Sequence, residues 1–328
     1  MDTPNLSFIG GGAWGASLAL AYTEKFNTIL YKRNFSDNSA TGNQFFNCIE
    51  NEKINLPKIT DDLSYAIRSS EIIFITVPSL YCVDVIKKII LTGEKNKKII
   101  ITCKGFSDTG KILYSQLDKE FSSNQYFVFS GPTFSVELGK KLPSAIVLAS
   151  KIKKDDLEDL SIKLSLSYLR VYSSSDPIGV SLGGILKNIF AIAAGISDGL
   201  GFGLNARSAL ITRGLNEMFQ ISPHFGIKKN TIYGLSFLGD LLLTSSSNLS
   251  RNYKLGYNLA KIEEPKSFLN KFNLTAEGIR SAKLVYDIAE KNNLDLPIIS
   301  SVYKVIYENY APREITKLIF SREHKFES

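Results

Sequence analysis

Gly10, Gly11, Gly12 and Gly15 fall within six residues of one another in the segment SFIGGGAWGASLALAY, residues 7–22. Each glycine costs backbone entropy on folding, so four in so short a run imply a main chain that something must approach closely. The run satisfies G-x-G-x-x-G. Gly10 permits a tight turn, Gly12 lets a pyrophosphate reach the backbone, and Gly15 lets a helix pack on the strand before it. A strand-like segment, LSFIG (6–10), precedes the motif and a helix-like run, Ala13–Phe26, follows it. That context separates a dinucleotide loop from an ordinary glycine-rich turn. Ala13 and Trp14 then stand at a helix N-terminus, whose N–H groups and positive potential suit phosphate.

The rest of the first half repeats this alternation. TILY (28–31), IIFITV (72–77), KIIITC (98–103) and YFVFS (126–130) are short, β-branched or aromatic, and bounded by polar residues. They are predicted as buried strands, with helices between them such as Tyr81–Ile90. AIVLAS (145–150) and YLRVY (168–172) extend the set. Strand–helix alternation of this kind implies a parallel, doubly wound α/β sheet. The pattern changes at SSSDP (173–177), beyond which strand signals nearly vanish. We therefore expect a dinucleotide-binding domain over 1–175 and an all-α domain over 176–328. In the latter, Leu182–Ile196 is a small-residue apolar helix. Asn205 is read as the N-cap of a helix carrying Ile211, Leu215, Met218 and Phe219 on one face. Thr275 precedes a helix with the stripe Ala282, Val285, Tyr286 and Ala289.

Composition narrows the function classes. Lys plus Arg number 39 against 32 Asp plus Glu, a net charge of +7 that suits an anionic small ligand. No Lys/Arg stripe with interleaved aromatics marks a nucleic-acid surface. Cys48, Cys82 and Cys103 form neither a CxxC pair nor a metal spacing, so no metal site is expected and the thiols fit a reducing cytosol. Glycines interrupt the first apolar run, so no signal peptide is expected there. The most membrane-like window, Ile178–Ile196, contains Lys187 and Asn188 and reads as a buried helix rather than a span.

The chain has only two histidines, His224 and His324. Acid–base chemistry would therefore fall to lysine or a carboxylate. Lys187 stands out because Leu182, Ile185, Leu186, Ile189, Phe190 and Ile192 surround it. An ammonium in such a helix must be paired, or desolvation must lower its pKa. The functional reading is a general acid or base, and Asn188 beside it favours that; the alternative is a snorkelling lysine or a structural ion pair. A second informative pair is Lys32–Arg33, at the predicted end of the second strand. A carboxylate there would suit ribose hydroxyls, whereas two cations suit a 2′-phosphate. NADPH is therefore expected to bind well and in preference to NADH, unless both charges are merely solvated surface residues.

Several blocks carry a family resemblance along almost the full chain. They are VPS (77–79), CKGF (103–106), SGPTFSVEL (130–138), LGGILKNIFAIAAGISDGLGFGLNARSALITRGLNEM (182–218), FLGDLLLT (237–244), SRN (250–252), AEGIRSAK (276–283) and PIISSVYKVIYE (297–308). With the N-terminal glycine motif, they make the chain resemble the bacterial NAD(P)-dependent glycerol-3-phosphate dehydrogenases. The resemblance implies a Rossmann-like doubly wound sheet followed by a helical catalytic domain. It also implies a cytoplasmic enzyme supplying phospholipid synthesis. The reaction it implies is reversible hydride transfer between NAD(P)H and dihydroxyacetone phosphate, giving sn-glycerol 3-phosphate.

By the same resemblance Lys187 matches the general acid/base and Lys104 a second active-site lysine near the substrate oxygen. Asp240 would orient Lys187 or the substrate hydroxyl, with Thr244 a polar neighbour and Asn188 a substrate-side amide. Gly131 and Thr133 match substrate-binding positions, and Ser250, Arg251 and Asn252 match the phosphate-binding triplet. Trp14, Arg33, Ser135, Arg251, Thr275 and Glu277 fall on cofactor-contact positions, beside Gly10, Gly12, Ala13, Gly15, Lys32 and Lys104. Family members often carry Ser where Ala13 stands and Ala where Ser135 stands. The family is often dimeric, and the helical half could bury a homodimer face.

Some residues also argue for themselves. Arg251 offers a phosphomonoester a bidentate cation just after a plausible N-cap, Ser250. Lys104 follows a strand, where open α/β sheets bind ligands. Two rivals remain open at this level. One is a related two-domain reductase acting on another small hydroxy acid. The other is a catalytically silent NADPH-binding sensor, against which the presence of Lys187, Lys104 and Asp240 weighs.

Overall fold

Strands β1 (Asn5–Ile9), β2 (Asn27–Tyr31), β3 (Lys58–Thr60), β4 (Ile72–Ile75), β5 (Lys98–Ile101), β6 (Gln125–Ser130), β7 (Ser144–Ala149) and β8 (Leu169–Ser174) form one sheet in the computed structural model. The model describes residues 5–33, 55–271 and 277–314. The strand order is β3-β2-β1-β4-β5-β6-β7-β8. All neighbours run parallel except β6 and β7, which are antiparallel. Thr275, Cys48 and His324, singled out from sequence, lie outside the described residues.

Burial on both faces explains the near-continuous apolar strands: every residue of β4, IIFI, is buried. Helices α1 (Ala13–Tyr22), α2 (Leu63–Arg68), α3 (Cys82–Leu91), α4 (Leu113–Glu120), α5 (Ser135–Gly139) and α6 (Lys154–Leu164) connect the strands. On one face Phe8, Phe74, Phe127 and Phe129 gather with Leu18 and Tyr22 of α1 and Leu157, Leu160 and Leu164 of α6. Phe8 stacks on Phe74 at 4.7 Å between centroids, and Phe74 meets Phe129 edge-on at 5.7 Å. Each such side chain stabilises the fold by about 1.5–3 kcal/mol. The Tyr22 hydroxyl donates a hydrogen bond to Leu164 O at 2.9 Å, and burial pushes its phenol far above the ordinary range.

The chain divides into two compact units, Met1–Leu182 and Gly183–Ser328. Among the described residues no strand follows Ser174. Helix α7 (Pro177–Gly199) begins in the first unit and continues into the second. It is long and apolar enough to cross a membrane, yet 89% of its most apolar window is buried within the protein. It is a core helix, as its interrupting Lys187 and Asn188 suggest. After it come α8 (Gly203–Ile221), α9 (Lys229–Ile232), α10 (Asp240–Ser245), α11 (Arg251–Leu259), α12 (Pro265–Lys271), α13 (Glu277–Lys291) and α14 (Pro297–Tyr307). Where α7 meets α11 the main chains touch: a Cβ on Gly195 would strike Tyr253 O, and one on Gly256 would strike Ile192 O.

Several local expectations need correction. Asn205 does not cap α8; the helix already starts at Gly203, with Phe202 in the cap position and no side-chain cap bond. The physical reason is that Gly201 and Gly203 both take positive φ, +79° and +81°, which turns the chain into the helix two residues earlier. Helix α1 stops at Tyr22 rather than Phe26, its last turn tightened to an i→i+3 bond from Thr23 N to Leu20 O at 3.1 Å. A 3₁₀ turn, Ser79–Tyr81, precedes α3. The buried Glu217 on α8 was not singled out. Its carboxylate accepts from Ile298 N at 2.6 Å and Ile299 N at 3.0 Å, capping α14 from another helix.

Gly15 and Gly12 separate packing from access. A Cβ on Gly15 would overlap Gly10 O and lie 2.6 Å from Thr76 Oγ1, whereas one on Gly12 would meet nothing within 4 Å. Gly15→Ala is therefore expected to lower the thermal unfolding midpoint clearly, and Gly12→Ala to leave it nearly unchanged, in a calorimetric comparison of the two variants.

Candidate active site

The glycine turn lies at the point where the strand order reverses. From β1 the chain crosses to β2 on one side, while β4 pairs on the other. Ligands of open α/β sheets bind outside the carboxyl ends of strands at such a switch point. Gly10 leaves β1 at φ +130°, and its N–H bonds Tyr31 O at 3.1 Å. Thr76, just past β4, donates to Gly10 O at 2.9 Å and Ile9 O at 3.1 Å. These bonds pin the turn between both strands. Gly12 is the N-cap of α1, with no side-chain cap, and no acidic residue occupies the first turn. Gly12 and Ala13 are exposed, and Trp14 packs half-buried against the sheet core.

This cradle fits a dinucleotide. Open space stands where a Gly12 side chain would go, next to uncapped N–H groups with positive potential. Lys32 follows β2, and its stem lies against Gly11, 2.9 Å from the place of a Cβ there. Arg33 next to it is exposed. Further along the same carboxyl edge, Lys104 lies beyond β5, half-buried, and donates to Gly131 O at 3.0 Å. Gly131 follows β6; Thr133 donates to the same carbonyl at 3.3 Å, and Ser135 opens α5. The first unit thus brings its sequence-predicted residues to one edge of the sheet.

The helical unit assembles the others around α7. Lys187 lies 3.0 Å from Asp240 Oδ1 and donates to Thr244 Oγ1 at 2.7 Å. Thr244 donates in turn to Asp240 Oδ1 at 3.2 Å. The side chains of Lys187 and Asp240 are only 9% and 1% exposed. Asp240 is delivered by a turn of π-helix, Leu235–Gly239, in which Gly239 N bonds Gly234 O at 3.2 Å. Such turns are rare and recur at functional sites. Phe237 of that turn packs against Gly183 of α7, where a Cβ would come within 2.5 Å of its ring.

One residue along α7, Asn188 donates to Gly184 O at 3.2 Å and accepts from Asn252 Nδ2 at 2.9 Å. Asn252 Oδ1 accepts from Gly278 N at 3.2 Å, in the first turn of α13, which Glu277 opens. Ser250 caps α11 by accepting from Tyr253 N at 3.2 Å, and Arg251, the first residue of that helix, is exposed. Chemically the unit offers a buried ammonium held by a carboxylate and a hydroxyl. It also offers a capped helix N-terminus beside an exposed guanidinium.

A mostly parallel sheet with a glycine turn at its switch point, joined to a helical unit that buries a lysine–aspartate pair, defines a two-unit nicotinamide-dependent dehydrogenase. Residues 5–156 match the family model for the NAD-dependent glycerol-3-phosphate dehydrogenase N-terminus, and residues 176–317 match that for its C-terminus. The chain belongs to the NAD-dependent glycerol-3-phosphate dehydrogenase family. It is 38% identical to a glycerol-3-phosphate dehydrogenase [NAD(P)+] of Ruthia magnifica subsp. Calyptogena magnifica, covering 97% of this chain and 98% of that one. It is 36% identical to the enzyme of the same name from Halothermothrix orenii, covering 98% and 96%. A crystal structure of glycerol-3-phosphate dehydrogenase from Coxiella burnetii superposes with a TM-score of 0.87 at 32% identity, covering 98% of this chain and 99% of that one.

Sequence reasoning missed Thr76, which pins the glycine turn, and Glu217, which caps α14. Only Glu217 left a signal, as a carboxylate beside Met218 and one turn from Gly214 on a buried helix face. Breaking a buried ion pair from one side costs about 3–5 kcal/mol. Asp240→Ala is expected to lower the unfolding free energy by about that much, and Asp240→Asn, which keeps an acceptor, by less, in urea titrations.

Proposed function

We propose that the chain reduces dihydroxyacetone phosphate to sn-glycerol 3-phosphate with NADPH or NADH, reversibly and without a metal. The buried Lys187–Asp240–Thr244 group carries this reading, because a fixed ammonium is the proton donor that ketone reduction needs in a chain with two histidines. Family membership supports it, as do relatives of the same name over nearly the full length. When bound, the reduced nicotinamide supplies the hydride that adds to the ketone carbon.

The residues of this chain do the rest. Gly12, Ala13 and Trp14 bind the pyrophosphate end of the cofactor through backbone N–H groups, while Gly10 shapes the turn and Gly15 lets α1 pack close to it. Lys187 gives a proton from Nζ to the carbonyl oxygen as negative charge develops there, and takes it back in the reverse direction. Asp240 and Thr244 each hold one Nζ hydrogen bond and so fix the direction of the ammonium. Lys104 adds positive charge near the developing oxyanion. Arg251 and the capped N-terminus of α11 bind the substrate phosphate, with Ser250 and Asn252 shaping that turn. Gly131, Thr133 and Asn188 contact the substrate. Ser135 and Glu277 contact the cofactor.

The first domain, 1–175, binds the dinucleotide; the second, 176–328, binds substrate and carries the proton donor. The enzyme works in the cytoplasm and feeds glycerophospholipid synthesis.

Lys187→Ala is expected to cut turnover by about a hundredfold to ten-thousandfold while cofactor affinity stays nearly unchanged. Loss of reduced-nicotinamide absorbance with dihydroxyacetone phosphate measures the first and fluorescence titration the second. Comparable loss of both would make the lysine structural. Lys32, stacked along Gly11, and Arg33 select the 2′-phosphate, so NADPH is expected to bind more tightly than NADH. Dissociation constants for both cofactors check this, and a clear preference for NADH overturns it.

A further inference from the structure

Asp198, near the C-terminal end of α7, receives two donors on one oxygen. Arg207 Nη1 of α8 lies 2.6 Å from Asp198 Oδ2, and the Tyr253 hydroxyl of α11 donates to the same atom. All three side chains are largely covered: Asp198 is 14% exposed, Arg207 22% and Tyr253 6%. Nothing in the proposed reaction uses them. Tyr253 nevertheless sits two residues after Arg251 and one after Asn252, in the turn assigned to the substrate phosphate. Its main-chain N–H is tied to Ser250 Oγ and its hydroxyl to Asp198, so both ends of the residue are fixed. Burial and the neighbouring carboxylate push the Tyr253 phenol up from its ordinary value, which keeps the hydroxyl a donor.

We infer that Tyr253, anchored by Asp198 and Arg207, is a positioning residue that sets the rotation of α11 and thereby aims Arg251 at the substrate phosphate. Successive residues of an α-helix are about 100° apart, so positions 251 and 253 are separated by about 200° around the axis. Turning Tyr253 inward onto Asp198 turns Arg251 outward, and Arg251 is indeed exposed. The touching main chains at Gly195 and Gly256 hold α11 close to α7, and the Asn252–Asn188 amide bond ties its first turn. The hydroxyl–carboxylate bond adds a stop on the side of α11 opposite Arg251, one that holds the turn carrying Arg251 in rotation. Arg207 neutralises Asp198, so the carboxylate can stay covered while serving both donors. The inference rests on the phosphate role proposed for Arg251.

Tyr253→Phe removes the single hydroxyl and keeps the ring. It is expected to raise the KM for dihydroxyacetone phosphate about tenfold, the lower end of what one hydrogen bond to a charged group is worth. The kcat and the NADPH dissociation constant stay nearly unchanged. Activity toward unphosphorylated dihydroxyacetone, which has no phosphate to aim at, is expected to keep its kcat/KM. Asp198→Asn, which preserves side-chain shape, moves KM in the same direction. An unchanged KM in both variants overturns the inference, and so does an equal loss on the two substrates, the mark of a structural role. Arg251→Ala distinguishes the underlying reading. A KM raised by Arg251→Ala but unmoved by Tyr253→Phe overturns the positioning role alone. A KM unmoved by Arg251→Ala overturns the phosphate assignment and the inference with it.

Discussion

A charged ammonium inside an apolar helix is tolerable only with a counter-charge within reach, and the helical unit is arranged around meeting that demand at Lys187. Taking each ion out of water costs several kcal/mol, and replacing such a pair by well-packed apolar residues is often neutral or stabilising. Stability alone therefore does not account for Lys187 and Asp240 among Leu186, Ile189 and Phe190. In the reaction proposed above, the pair provides a proton donor with a fixed direction. The π-turn at Leu235–Gly239 and the contact of Phe237 with Gly183 are the structural means by which Asp240 reaches α7.

Glycine serves two opposed physical purposes in this chain. Gly15, Gly195 and Gly256 are needed because protein atoms occupy the space a side chain would take. Gly12 is different: the space beside it is open, so its lack of a side chain serves something other than the fold. Close packing at the first kind of site brings elements together rigidly. Α1 is thereby seated on β1 and β4 at the switch point, and α11 on α7. Openness at the second kind leaves the helix N-terminus accessible to an anion.

Polar side chains then tie the seated helices in register. The Asn188–Asn252 amide pair links α7 to α11 and passes on to the first turn of α13 through Gly278 N. Glu217 links α8 to α14 by capping it. Asp198 gathers α8 and α11 onto the end of α7. Each bond is individually worth about 1.5–3 kcal/mol where a charged group takes part. Their value for chemistry is orientation, since a misplaced substrate-binding group loses rate even when the fold survives.

Much of this was legible before any coordinates. Strand–helix alternation, the glycine spacing and the loss of strand signals after SSSDP are local periodicities, and they determined a parallel α/β sheet followed by helices. Lys187 was conspicuous because a charge in a run of apolar residues breaks the pattern, and Ser250 because an N-cap has a local chemical signature. The antiparallel pairing of β7 and the three-residue β3 carry no such signature, for register depends on partners far away in the chain. Asn205 was misread because the cap position depends on the φ of glycines upstream, not on the residue's own chemistry. Tyr253 and Asp198 looked like ordinary helix residues, and Glu217 showed only as a carboxylate on an apolar face. Tyr253 reaches Asp198 across 55 positions and Glu217 caps a helix 81 positions on, and only packing that brings distant helices together makes these bonds possible.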